Sequence, residues 1–121
     1  MYKFISVDKS LGLRGYCCFY CRNIVADHND IIDKNFLGIH ENGGGRAFLF
    51  SHASDIVEEP PYLKQMITGP HVVSDILCAE CGKILGWKYK KCFHDRNKYK
   101  EGKFVMVKYN IIKVVHPPLN H

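Results

Sequence analysis

CAECGKILGWKYKK, residues Cys78 to Lys91, holds in series a C-x-x-C turn, a glycine, a Trp and a Tyr, and a run of lysines. Three readings are open for it: a redox pair, half of a metal site, or a binding surface. A second C-x-x-C, Cys18-Phe19-Tyr20-Cys21, bears on the choice. Two such turns supply four soft thiolates, enough to close a tetrahedral zinc shell. Gly82, directly after Cys81, suits a chain that turns tightly so that backbone N–H groups point at thiolate sulfur. A thioredoxin-like pair would instead want one C-x-x-C at a helix N-terminus after a βαβ start, and neither pair has that setting.

The spacing between the pairs is long. Cys21 and Cys78 are separated by 56 residues, where zinc ribbons usually have about 15 to 20. A zinc joining such distant points staples a β-rich excursion at its base, offsetting its loop-closure entropy. Four cysteines leave no coordination position for water, and no H-E-x-x-H or deaminase H-x-E partner accompanies them, so the expected metal is structural. Cys17 adjoins the first pair, but Cys18 gives the better register. Cys92 reads as a free, buried thiol. His71 reads as a turn or core histidine making a hydrogen bond. Glu58 and Glu59, before a double proline, read as a solvated loop. No Ser/His/Asp or paired-carboxylate constellation stands out, and the protein is expected not to be an enzyme.

The 121 residues suit one domain, and 46% hydrophobic with 12% aromatic residues exclude a disordered chain. No segment approaches the roughly 18 apolar residues of a membrane span. MYKFISVDKSLGLRG lacks the h-region and cleavage site of a secretory signal. The expectation is a cytoplasmic protein, with a nuclear one also admitted. In that reducing setting six cysteines bind metal or stay free.

Five runs read as strands: Arg46–Phe50, Gln65–Gly69, His71–Cys78, Ile84–Lys90 and Lys103–Val115. In DHNDIIDKNF, Asp27 or Asn29 is placed to cap a short helical segment leading into Ile31 and Ile32. The glycines of HENGGGR, at 43 to 45, suit a hairpin tip, and Pro117 and Pro118 end the last strand.

The run TGPHVVSDILCAECGKILGWKY (Thr68 to Tyr89), then KYKEGKF (Lys98 to Phe104), closely resembles the Yippee-like family. So do Tyr16-x-Cys18-x-x-Cys21, Phe36-x-Gly38 and Gly45-Arg46-Ala47-Phe48-Leu49-Phe50. The resemblance implies a mainly β chain, a β-tent of two antiparallel sheets pinned by one zinc on Cys18, Cys21, Cys78 and Cys81. That fold is similar to the ligand-binding domain of cereblon and the Yippee domain of Mis18. The domain is expected over 16–115, after an N-terminal extension (1–15) and before a tail (116–121). The chain departs from the family pattern in a longer Phe36–Arg46 loop, a poorly matching Val57–Gln65 segment, and a basic run after Tyr89 where the family usually has acidic and small residues.

That basic run sits in a strongly polarised chain. Lys83 to Lys113 contain ten Lys or Arg against Asp95 and Glu101, while the remainder holds seven basic and ten acidic residues. Strand alternation turns Lys88 and Lys90 outward, opposite Trp87, Tyr89 and Lys91. Arg96, Lys98, Lys100 and Lys103 follow in a turn-rich stretch and extend the same surface. Such a patch suits phosphates, and RNA is the abundant candidate; a solvated face is the plain alternative. Trp87 and Tyr89 read first as core, and the similarity to cereblon adds the reading of an aromatic pocket for a ligand.

Two functions from different classes follow. A small basic protein of this kind resembles the family's ribosome dormancy factors, which sit near the tRNA exit site, contacting rRNA and ribosomal proteins, and silence idle ribosomes. The other is a protein-interaction or ligand-reading adaptor in a complex of the ubiquitin-ligase type. Neither calls for a membrane or a small-molecule substrate.

Overall fold

The computed structural model describes residues 13–36 and 46–116. Along them run β1 (Leu13–Cys18), β2 (Ile24–Asp27), β3 (Ile31–Phe36), β4 (Ala47–Phe50), β5 (Ile56–Glu58), β6 (Tyr62–Met66), β7 (Gly69–Cys78), β8 (Ile84–Cys92), β9 (Phe104–Val107) and β10 (Ile111–His116). They make two antiparallel sheets. The small one has the order β10-β1-β2; the large one runs β3-β4-β9-β8-β7-β5, with β6 also on β7. The expected fold class, mainly β in two antiparallel sheets, is what the chain adopts.

The large sheet is apolar on both faces, and each face has its own core. Tyr16, Cys18, Val25, Ala26 and Ile111 of the small sheet pack with Phe50, Ile76, Leu85 and Met106 of the large one. On the other face Phe36, Ala47, Leu49, Val73, Trp87, Tyr89, Val105 and Val107 pack together. Neighbours alternate between the cores as a pleat demands: Leu49 and Phe50, Val105 and Met106. Leu85 and Trp87 break that rule, since residues two apart should share a face. The register shift that pairs Ile76 with Gly86 but Leu77 with Ile84 leaves Leu85 as the extra residue of a bulge and sends the two to different cores. Each fully buried Leu or Ile of this kind contributes about 1.5–3 kcal/mol.

Three of the five expected strands stand as read. Gln65–Gly69 does not: it straddles the end of β6 and a two-residue turn at Ile67 and Thr68. Lys103–Val115 splits into β9, a 3-10 turn over Lys108–Asn110, and β10. The turn carries the chain from the large sheet to the small one. Asp27 does cap a short segment, accepting the Asn29 N–H at 2.8 Å, but the segment is a single 3-10 turn, His28–Asp30. β1, β2, β3 and β5 were not anticipated from sequence. β5 is three residues long, and four of the six residues of β3 are exposed, so neither carries a clear apolar alternation.

The domain limits also move. β1 pairs with β10 from Leu13 opposite His116, which brings 13–15 and 116 into the small sheet. The HENGGG glycines, the residues before Leu13 and those after His116 lie outside the described residues. Among the described residues no helix is long and apolar enough to cross a membrane.

Candidate metal centre and basic surface

The two C-x-x-C turns are built alike. In the first, the Arg22 N–H donates to the Cys18 carbonyl at 2.9 Å and the Cys18 N–H to the Asn23 carbonyl at 2.8 Å. In the second, the Gly82 N–H donates to the Cys78 carbonyl and the Cys78 N–H to the Lys83 carbonyl, both at 2.9 Å. Each turn needs a left-handed residue just after its second cysteine: Gly82 at φ 78° and Arg22 at φ 69°. Glycine adopts that conformation freely, and arginine at a cost.

The long gap between the pairs is closed by the sheets. The four Sγ atoms lie within 4.8 Å of one another, with Cys18 to Cys81 at 3.6 Å and Cys21 to Cys78 at 3.5 Å. Sulfurs each about 2.3 Å from one zinc stand about 3.8 Å apart at tetrahedral angles, so this set fits the ion. Cys18 and Cys78 are buried at the base of the inter-sheet core, and Cys21 and Cys81 face outward.

Without metal the thiols divide. Burial raises the pKa of Cys78, yet the backbone N–H of Cys81, the Asn23 amide, the backbone N–H of Glu80 and Cys21 outweigh it and hold Cys78 at about 7. The Asn23 backbone N–H pulls Cys21 down, but burial and the sulfurs of Cys78, Cys81 and Cys18 push it up to about 12. Crowded thiols resist a second negative charge; a divalent cation removes that resistance. Asn23 was not singled out from sequence. Its amide reaches the Cys78 sulfur at 3.5 Å and the Asp55 carbonyl at 3.3 Å, and the Asp55 carbonyl also accepts the Ala79 N–H at 3.0 Å. Asn23 and Asp55 thus tie the knuckles together from outside the ligand set. Cys92 is a free, buried thiol, as expected, and the cluster takes Cys18 and leaves out Cys17, which is also buried.

A match to the family described as Yippee zinc-binding/DNA-binding and Mis18, centromere assembly, covers residues 15–116. The chain belongs to the Yippee family. A yippee-like protein of Arabidopsis thaliana is 48% identical over 87% of this chain and 95% of its own length. Human yippee-like 4 is 39% identical over 83% of this chain and 76% of its own. The crystal structure of a Mis18 Yippee-like domain superposes with a TM-score of 0.67 at 17% identity, covering 84% of this chain and 95% of that one, and shares the fold. The four-cysteine cluster is the zinc site of this Yippee domain.

The basic residues of this Yippee chain separate into distinct environments. Lys88 and Lys90 project to one side of β8, as alternation requires, and both meet Glu58: Lys88 at 3.4 Å, Lys90 in a shorter contact. Glu58, expected in a solvated loop, is instead the last residue of β5, held against β7 by pairing with Ile76. The Lys90 hydrogen bond holds its carboxyl below the ordinary carboxylate range against the opposing effect of burial. Strict alternation would turn Lys91 inward. A second register shift, between Val72 opposite Lys91 and Val73 opposite Tyr89, makes Lys90 an extra residue; Lys91 stays exposed and Cys92 goes inside. Arg96 and Lys98 are exposed on the 3-10 helix Asp95–Lys100, with Lys98 3.4 Å from Glu101. Lys103 is half-buried and donates to the Glu101 carbonyl at 3.5 Å.

Lys100 does not belong to this surface. It is 5% exposed, its ammonium set against the rings of Phe36 (5.3 Å), Tyr89 (5.5 Å) and Tyr99 (5.9 Å). The 3-10 geometry turns it inward together with Asn97, three residues before. Trp87 and Tyr89 are both buried, at 5% and 0% exposure. Tyr89 packs edge-on against Phe36 and Trp87 and tilted against His71 at 5.2 Å. These rings are core, and the cation among them is the chain's own. His71, as expected, is a core histidine: its Nδ1 lies 2.8 Å from the Gly69 carbonyl, and burial pushes its pKa down.

Proposed function

We propose that this Yippee protein is a non-enzymatic zinc protein of the cytoplasm that binds rRNA through its basic end and acts as a ribosome dormancy factor, occupying the tRNA exit region of idle ribosomes. One observation carries the reading: Lys88, Lys90, Lys91, Arg96 and Lys98 share the end of β8 and the helix after it, with Glu58, Asp95 and Glu101 as local acids. Lys91 and Arg96 are exposed without an ion pair among the described residues, which suits a phosphate backbone. The zinc site supports a rigid, non-catalytic body, because four cysteine ligands leave no position for a substrate. The family description, which includes DNA-binding, agrees with a polyanionic partner. The step from polyanion to ribosome rests on the resemblance to dormancy factors of this family.

The test is sedimentation of the native protein from resting cells on sucrose gradients, at low and high salt, with and without RNase. Co-migration with intact ribosomes that weakens with salt, and that charge reversal at Lys88, Lys90 and Lys91 abolishes, supports the proposal. A smaller, nuclease-resistant assembly favours the second reading, a protein-interaction adaptor. A specific feature speaks for that reading: Val57 and Leu63 are exposed along the β5–β6 edge of the large sheet, and Ile67, in the turn after β6, is 73% exposed.

A further inference from the structure

The tip of the first zinc knuckle carries side chains that neither the metal nor the core uses. Phe19 and Tyr20, the two residues between Cys18 and Cys21, are 47% and 50% exposed and stand edge to face at 5.2 Å. Each ring has a cation over it. The Arg22 guanidinium is 5.7 Å from the centre of Phe19 and donates to the Phe19 carbonyl; the Lys83 ammonium reaches across from the second knuckle to 5.1 Å from Tyr20. The Phe19 N–H donates to the Asn110 carbonyl at 2.9 Å, which draws up the turn bearing Tyr109, another exposed ring. The second knuckle has Ala79 and Glu80 at the equivalent places, so the C-x-x-C turn itself does not require aromatic residues there.

Arg22 makes the same point through its backbone. It occupies the left-handed position that Gly82 fills in the twin turn, at a steric cost that a glycine would avoid. Offsetting the charge of a zinc tetrathiolate accounts for two cations near the cluster, but not for two solvent-facing rings beneath them. Exposed aromatic faces flanked by Lys and Arg are how proteins hold unpaired nucleotides: bases stack on the rings and phosphates meet the cations.

We infer that the Phe19–Tyr20 tip, with Arg22 and Lys83, is a stacking platform for single-stranded RNA, separate from the basic end of β8. Lys83 precedes β8 and Lys91 lies near its far end; at about 3.3 Å per residue the two sites are roughly 25 Å apart. The platform shares with the proposed function the premise that the partner is RNA, and variants at the two ends of β8 tell the failure of one from the failure of the other.

The experiment titrates full-length, zinc-loaded protein into fluorescein-labelled single-stranded oligoadenylate and, separately, into a short RNA duplex, following anisotropy at low salt. Phe19→Ala/Tyr20→Ala is expected to weaken single-strand binding at least tenfold, by the usual weight of base–aromatic stacking, with duplex binding, zinc content and melting temperature unchanged. Arg22→Gly keeps the turn and weakens single-strand binding less. Lys91→Glu/Arg96→Glu, at the other end, lowers duplex and ribosome binding and leaves the tip's single-strand preference intact. Tyr20→Trp retains affinity, and its added indole emission, unlike that of buried Trp87, is quenched on titration. Equal single-strand affinity in the double-alanine variant, a preference for duplex, or an unquenched Tyr20→Trp signal at saturation overturns the platform. Absence of any oligonucleotide binding also overturns it and leaves the tip as a protein contact.

Discussion

The Lys100 ammonium lies 5.5 Å from the centre of the Tyr89 ring, with the rings of Phe36 and Tyr99 5.3 and 5.9 Å away, so a lysine from the most basic part of the chain serves the core. Lys100→Ala removes both the methylene packing and the cation–π contacts and should destabilise the fold by about 2–3 kcal/mol. Lys100→Met, which keeps the volume, should cost less. Urea unfolding measures both. RNA affinity of the folded variants should be unchanged; loss of affinity at full stability would return Lys100 to the binding surface.

Glu58 governs how much of the Lys88 and Lys90 charge is available. Glu58→Gln should raise affinity for RNA and steepen its dependence on log salt by about one to two counterions, read by anisotropy across a salt series. An unchanged slope would mean that these lysines do not face phosphate.

The same carboxylate contributes a small acid-sensitive stabilisation. Its pKa is lowered in the folded state from the ordinary 4.5, so the contribution is present above that value and is lost as pH falls through the folded one. For a pair near the surface it amounts to about 1 kcal/mol or less. Denaturation of wild type and Glu58→Gln should therefore differ at pH 7 and converge once the pH has fallen below the folded-state value. A gap that persisted at the lower pH would assign the effect to packing.

Zinc should bind at one equivalent through both knuckles, and chelation should unfold the chain, since the ion joins cysteines with 56 residues between them. Ser at Cys18, Cys21, Cys78 or Cys81 should lose the metal, while Cys17→Ser should keep it, by mass spectrometry under native conditions. Binding expels thiol protons, and Cys21 is pushed up to about 12, so apparent affinity should rise with pH.

Two glycines should fail for different reasons. A Cβ on Gly86 would meet the Val105 carbonyl oxygen at 1.9 Å, so Gly86→Ala must force β8 from β9 and should cost more than about 3 kcal/mol. Nothing lies within 4 Å of a Cβ on Gly82, whose φ is 78°, so Gly82→Ala should cost only the backbone term, about 1–2 kcal/mol. Equal losses in thermal melts would contradict the distinction.

The zinc ligands were legible because coordination is written locally: two C-x-x-C turns carry their own geometry, and the register of Cys18 over Cys17 follows from spacing alone. β4, β7 and β8 were legible from β-branched and aromatic runs, and so were the inward sense of Trp87 and Tyr89 and the shared face of Lys88 and Lys90. β3 and β5 were not, because mostly exposed or three-residue strands lack a signal of their own and form only on a neighbour's edge.

What the chain determined by itself is therefore the chemistry and the local turns: a zinc tetrathiolate, a β class, a basic last third. Tertiary structure decided which charges do what. Sheet pairing brings Glu58 across to Lys88 and Lys90, two bulges reassign Leu85 and Lys91, a 3-10 turn buries Lys100, and closure of the zinc site sets Lys83 over Tyr20. Net charge is a sum over residues, but a charge acts through the solvent and partners around it, and those are set only when distant segments meet.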